Sequence, residues 1–404
     1  MRRCLTVLLL VVATVPAGRA DEPLPLVHGR PAYVLDDGAT SVFVTQTGGH
    51  MTATFAGAEG RKIAPYHVSP WQAESDEISP PILAVLRGDF FCLPFGANAA
   101  PFRGERHPPH GETANGEWQL VDRKAGDGRT SLTLALDTRV RPGRVTKRLT
   151  LVAGQPVVYS THVIEGFAGP APLGHHATLA VPETEGALRT ATSPIRFGIT
   201  NPTQFSDPAK GEYQSLAVGA RFTDPRRVPQ VFKDAPDADV TRFPARRGYA
   251  DFFLLVNDPA ATAEGPAWST AVNVEAGYLW FALKDPRVLP VTAVWIENRG
   301  RHAAPWKGRN HCLGLEDVCS YFADGVAPSA ARNLLLQEGV PTVVDLRADR
   351  PTSVHYIQGA VPVPAGFDVV RGVEFAPGAA VFTSASGLKV TAAVRHEFVR
   401  DGKL

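Results

Sequence analysis

Residues 131–140 read SLTLALDTRV, with Leu132, Leu134 and Leu136 at every second position and Thr133 and Ala135 between them. A period of two sends alternate side chains to opposite faces, the mark of a strand with one buried side. The same period runs on through KRLTLVA (147–153) and PVVYSTHVIEG (156–166), and returns in YADFFLLVND (249–258), VTAVWIENRG (291–300) and VPTVVDLRA (340–348). The chain holds 35 prolines and 37 glycines, which punctuate these runs at short spacing. Strand after strand with turn residues between them predicts an all-β chain, a large twisted antiparallel sandwich or barrel with minor helix. One helix is expected, over PSAARNLLLQEG (328–339), with proline in its first turn and glycine at its end.

Working outward, the N-terminus reads MRRCLTVLLLVVATVPAGRADEP. Arg2 and Arg3 precede a short apolar run from Leu5 to Val15, and Gly18 and Ala20 supply small residues before a cut after Ala20. This pattern predicts a secretory signal over 1–20 and a secreted or periplasmic mature chain. No other stretch is apolar for long enough to predict a membrane span. Residues 21–404 are expected to form one domain. A segment around 183–247, rich in Pro, Asp and Arg and weakly periodic, reads as an insertion, and a C-terminal hairpin region beyond Arg347 is a further option. With a net charge of +1 and no basic stripe, nucleic acid is not an expected partner. Once Cys4 leaves with the leader, Cys92, Cys312 and Cys319 remain; their odd number and apolar settings predict three free, packed thiols.

Chemistry-bearing residues gather in four islands. LRGDFFCLPFG (86–96) leads into PHGETANGEW (109–118), PLGHHATLAVP spans 172–182, and NHCLGLEDVCSYFADG spans 310–325. Together they resemble the aldose 1-epimerase-like (galactose mutarotase-like) superfamily, and in motif its hexose-phosphate mutarotase branch. Arg87-Gly88 and Pro94-Phe95-Gly96 match the family's arginine and Pro-x-Phe-Gly turn. His110-Gly111 matches its His-Gly, and Trp118 the aromatic that closes the motif. His176 stands at the general-acid histidine of the family's Gly-x-His strand, with His175 where an aromatic is commoner. Glu316 stands at the glutamate of its late strand. Asp89, the ETANGE continuation and the absence of Pro-Tyr-Phe after His176 depart from the pattern. The resemblance covers roughly residues 40–325. It implies an enzyme that interconverts sugar anomers with Glu316 and His176 as catalytic groups. Arg87, His110, Trp118, His175 and Asp224 are then candidate contacts to the sugar, Asp224 by its interval alone.

The chemistry of the residues agrees. Ring opening needs a base for the anomeric hydroxyl and an acid for the ring oxygen, and a histidine with a half-buried carboxylate titrates near the working pH. Neither cofactor nor metal is required, the expected partner is a mono- or oligosaccharide, and Trp71, Trp118 and Trp306 are available as aromatic faces for the apolar side of its ring. Each residue also has an ordinary explanation. Arg87 fits a strand-end ion pair, His110 a solvated turn, Glu316 a structural ion pair. Of His175 and His176, adjacent on a strand, only one can face a pocket. His107, His110 and Glu112 superficially suggest metal ligands, with His67 or His311 as distant partners. Pro108-Pro109 forces an extended turn in place of the helix that would converge them, and there is no recognisable calcium loop. Two further readings stay open: a non-catalytic carbohydrate-binding module on the same scaffold, and a polysaccharide lyase or hydrolase relative. The last would need a spaced carboxylate pair, for which Glu112, Glu117 and Asp317 are available.

Overall fold

The computed structural model describes residues 23–74 and 77–404. The leader expected over 1–20 lies outside the described residues. SLTLALD falls in the strand Arg129–Thr138, and Leu132, Leu134 and Leu136 enter the main core together. Every strand ladder among the described residues that forms the two large sheets is antiparallel. The fold is the all-β antiparallel sandwich that the period of two predicts.

A nine-stranded sheet runs from Arg242–Phe243 at one edge, through Tyr278–Lys284 and Thr352–Pro362, to Gln119–Gly126 at the other. A seven-stranded sheet runs from Arg221–Phe222 through Tyr249–Asn257, Val291–Asn298, His311–Cys319 and Leu173–Ala180 to the short strand Phe91–Cys92. The main core joins inward side chains of both, such as Leu134 and Leu149 with Leu179 and Leu315, and a five-stranded N-terminal sheet adds Val42, Val44 and Phe55.

Both large sheets are also covered on their outer faces. A C-terminal three-stranded sheet (Val370–Ala376, Ala379–Ser384, Lys389–Ala393) packs Phe382 and Ala380 against Phe281 and Ile357 of the nine-stranded sheet. That cover explains why YLWFALK, the strand Tyr278–Lys284, is buried at every residue and does not alternate in polarity. Over the outer face of the seven-stranded sheet lies a second apolar cluster containing Phe90, Phe252, Trp295 and Trp306. Within 183–247, Leu188–Thr192 extends one large sheet and Ile195–Thr200 the other, and both end at loops.

The helix expected over 328–339 is broken. It forms as two short pieces, Val326–Ala330 and Leu334–Gln337, with Ala331 extended between them. Asn333 is the reason: its side chain accepts from the Leu336 N–H and donates to the carbonyls of Pro328, Ser329 and Ala331. A residue that competes for backbone groups in this way starts a helix better than it continues one. Cys92, Cys312 and Cys319 are buried free thiols. Among the described residues no helix is long and apolar enough to cross a membrane.

Candidate active site

On the strand His311–Cys319 the even-numbered Cys312 and Val318 belong to the outer cluster, while Leu313 and Leu315 point into the core between the sheets. Glu316 therefore faces outward and Asp317 inward. The neighbouring strand pairs Glu316 with His176 and Asp317 with His175 in register. His176 and Glu316 come together on the floor of an outward-opening cavity of about 470 Å³.

The His176 Nε2 atom lies 3.1 Å from Glu316 Oε1, yet neither Glu316 oxygen has a partner at hydrogen-bonding angles. Burial pushes the Glu316 carboxyl well above the usual carboxylate range, and the Arg301 charge pulls it partly back. Burial likewise drives His176 well below the ordinary imidazole value, with His110 and His50 adding to the effect. Its ring stacks on Phe90, 4.4 Å between centroids, and its Nδ1 meets Thr178 Oγ1 at 3.2 Å. A fixed ring and an occupied Nδ1 leave Nε2 as the working atom. Gly314 makes room for the carboxylate: a Cβ there would sit 2.6 Å from Glu316 Oε1 and 3.0 Å from Trp295 Cβ.

His110 forms the rim. It takes a left-handed backbone (φ 58) and is followed by Gly111, where a Cβ would meet Leu93 O at 1.9 Å. Its ring stands edge-on to His176 at 5.0 Å, and its Nδ1 lies 3.4 Å from Cys92 Sγ. Burial lowers its pKa to about 4, so the ring is neutral at ordinary pH. The proline-rich stretch 101–111 thus builds a rim that presents one histidine. His107 pairs with Glu105 instead, and Glu112 accepts from the Arg139 and Val140 N–H groups, so these side chains diverge. Among the described residues no three His, Cys, Asp or Glu side chains gather as a metal site.

Of Arg87, His110, Trp118, His175 and Asp224, His110 alone joins the catalytic candidates at the cavity. Arg87 is buried and donates to the carbonyls of Val27 and His28 and to Gln72, so it ties the N-terminal strand to the sandwich. Trp118 lies in the main core, its Nε1 donating to Thr113 O. His175 points the other way from His176, bonding Asp89 at 2.8 Å and stacking on Tyr356. Asp224 pairs with Arg226 at the surface, away from the cavity. Glu117 bonds Thr47, and Asp317 is buried between the sheets, so the carboxylates considered for a lyase or hydrolase do not meet here.

The cavity also holds Trp306, one of the expected aromatic faces, together with residues not singled out above. Trp295 and Phe252 come from the sheet, Asn201 and Phe205 from the loop after Ile195–Thr200, Asp324 from the turn after His311–Cys319. Arg301 and Trp306 come from the loop after Val291–Asn298. The Arg301 guanidinium carbon lies 4.9, 5.3 and 5.5 Å from the ring centroids of Trp306, Trp295 and Phe205. The nearest sequence signal for it is its place four residues after Glu297, beside a tryptophan-bearing loop.

Neither a protein-family model nor a curated relative matches the sequence. Solved structures match over most of the chain. One is a candidate aldose 1-epimerase from Escherichia coli K12, at 15% identity and TM-score 0.52, covering 82% of this chain and 99% of that one. A candidate aldose 1-epimerase from Klebsiella pneumoniae subsp. pneumoniae MGH 78578 matches at 13% identity and TM-score 0.52, covering 85% and 83%. A galactose mutarotase related enzyme from Lactobacillus acidophilus matches at 10% and 0.50, covering 81% and 97%. At such identities the likeness is one of fold, and it agrees with the superfamily resemblance of the four sequence islands: the chain has the galactose mutarotase-like β-sandwich fold.

Proposed function

We propose that the chain is an aldose mutarotase-like enzyme that interconverts the anomers of a reducing sugar. The observation that carries this reading is the His176–Glu316 pair, side by side at the floor of an aromatic-walled cavity, with both carboxylate oxygens free of hydrogen bonds. The anomeric hydroxyl and the ring oxygen are both bonded to one carbon, so the base and the acid of this reaction should stand next to each other. In this mechanism Glu316 takes the proton of the anomeric hydroxyl while His176 gives one to the ring oxygen. The C1–O5 bond breaks to leave an aldehyde, the C1–C2 bond rotates, and the reverse transfers close the ring on its other face. The pair carries the shuttled proton: burial favours the neutral acid–imidazole form, and transfer across 3.1 Å gives the carboxylate–imidazolium form that reacts. His110, neutral at the rim, is placed to bond a sugar hydroxyl.

The test is exchange between α and β anomers, followed by NMR on the purified chain with a panel of hexoses, pentoses and short oligosaccharides. Exchange above background that is lost in Glu316→Gln supports the enzyme. Saturable binding without exchange across the panel would make the chain a carbohydrate-binding module. Export remains part of the proposal, supported by the leader-like residues 1–20; N-terminal sequencing of the mature chain, expected to begin at Asp21, tests it.

A further inference from the structure

We propose that the sugar taken by this cavity carries a carboxylate, as a uronate does, and that Arg301 holds it; this deepens the mutarotase reading and rests on it. Arg301 is the lysine or arginine lining the cavity. Its guanidinium is set among the rings of Phe205, Trp295 and Trp306, and its inner Nε lies 3.4 Å from Glu297 Oε2. Glu297 in turn accepts from the N–H groups of Gly300 and Arg301, which fixes the start of the loop. The two outer nitrogens of Arg301 make no hydrogen bond within the described protein. With Nε in an ion pair but no hydrogen bond to Glu297, the two outer nitrogens present a planar two-donor fork that a carboxylate matches.

The charge balance selects among acidic sugars. Glu316 and Asp324 line the same cavity, and burial raises both carboxyls, so negative charge is already disfavoured there. Arg301 is partly neutralised by Glu297. A single added negative charge fits this setting, whereas a phosphate brings nearly two and finds no second cation. A neutral hexose would cover the open edge with hydroxyl acceptors, which make the weaker bond to a guanidinium.

The experiment measures kcat/KM for anomer exchange with glucuronate and galacturonate, with glucose and galactose, and with glucose 6-phosphate. The proteins are the full chain, Arg301→Gln and Arg301→Lys. The uronates should lead their parent hexoses by about tenfold, the scale of one charge-assisted bond. Arg301→Gln should cut kcat/KM for uronates about tenfold more than for hexoses, and Arg301→Lys should recover part of that difference. Equal or greater activity on the neutral hexoses, a preference for glucose 6-phosphate, or an equal loss on all sugars in Arg301→Gln would overturn the proposal while leaving the mutarotase reading intact. Calorimetric binding of glucuronate to Glu316→Gln, with and without Arg301→Gln, separates the two ideas. Arg301-dependent binding with no exchange by the native chain keeps the acidic ligand and sinks the enzyme. No binding of glucuronate sinks the acidic ligand.

Discussion

The two faces of the seven-stranded sheet carry similar residues put to opposite ends. Toward the core, Asp317 accepts from Lys284 Nζ at 2.6 Å and from Thr292 Oγ1 and Tyr356 OH at 2.7 Å. His175 beside it is tied to Asp89. Toward the cavity, Glu316 has no satisfied hydrogen bond and His176 only the weak contact with Thr178. Burial is nearly complete on both sides. What differs is partnership: a carboxylate with three close donors is held as structure, and one without donors is available to react.

The sharpest way to break this comparison is to neutralise each carboxylate in turn. Glu316→Gln keeps shape and removes the base, so anomer exchange should fall by about 10² to 10⁴. Its thermal stability should hold or rise, because the buried carboxyl it replaces has no hydrogen-bond partners. Asp317→Asn should do the reverse. It leaves Lys284 charged in a fully buried site, so a loss of roughly 3–5 kcal/mol is expected in denaturant unfolding, with exchange altered mainly through the folded fraction. If the two substitutions damage activity and stability alike, the distinction between the faces is wrong.

The histidines give a smaller contrast. His176→Asn should slow exchange by about 10²-fold, the low end of acid catalysis. His175→Asn should cost about 1–3 kcal/mol of stability through the orphaned Asp89 oxygen, with kcat little changed. Measuring kcat and the midpoint of unfolding on the same preparations checks both.

pH sharpens the comparison further. The Glu316 pKa is raised in the folded chain, so between the ordinary carboxylate value and that raised value the native state binds more protons than the unfolded one. Stability contributed by its protonated form is present at low pH and is lost as pH rises through the raised pKa. Exchange needs the singly protonated pair, so its alkaline limb should fall where pH rises through the raised Glu316 pKa, and Glu316→Gln should flatten the matching slope of stability against pH. The smallest effect is expected at Gly314. A methyl group there crowds Glu316 Oε1 and Trp295 Cβ, so Gly314→Ala should shift that alkaline limb and lower exchange by about tenfold with about 1–3 kcal/mol of destabilisation.

Much of this arrangement is legible in the sequence because strands alternate. The leucines at 132, 134 and 136 reveal the sandwich, and the same parity places Glu316 and Asp317 on opposite faces. Alternation does not say which face opens to solvent, so His175 and His176 read as equals until the cover is known. Arg87 follows an apolar run, and that context is the same whether its side chain reaches a sugar or the carbonyls of Val27 and His28. Arg301 went unseen for the complementary reason: it stands in an irregular loop, where neither period nor motif signals direction. The broken helix after Pro328 turned on one asparagine that bonds backward to three carbonyls.

The strict pairing of His176 with Glu316, and of His175 with Asp317, has a consequence for quality control of the fold. A slip of one residue between these strands would pair His175 with Glu316 and turn the salt-bridged aspartate toward solvent. Such a chain would keep much of its strand content but turn Leu313 and Leu315 out of the core together with the loss of the pair. If the proposed exchange is observed, specific activity per folded molecule reports strand register, which circular dichroism alone does not.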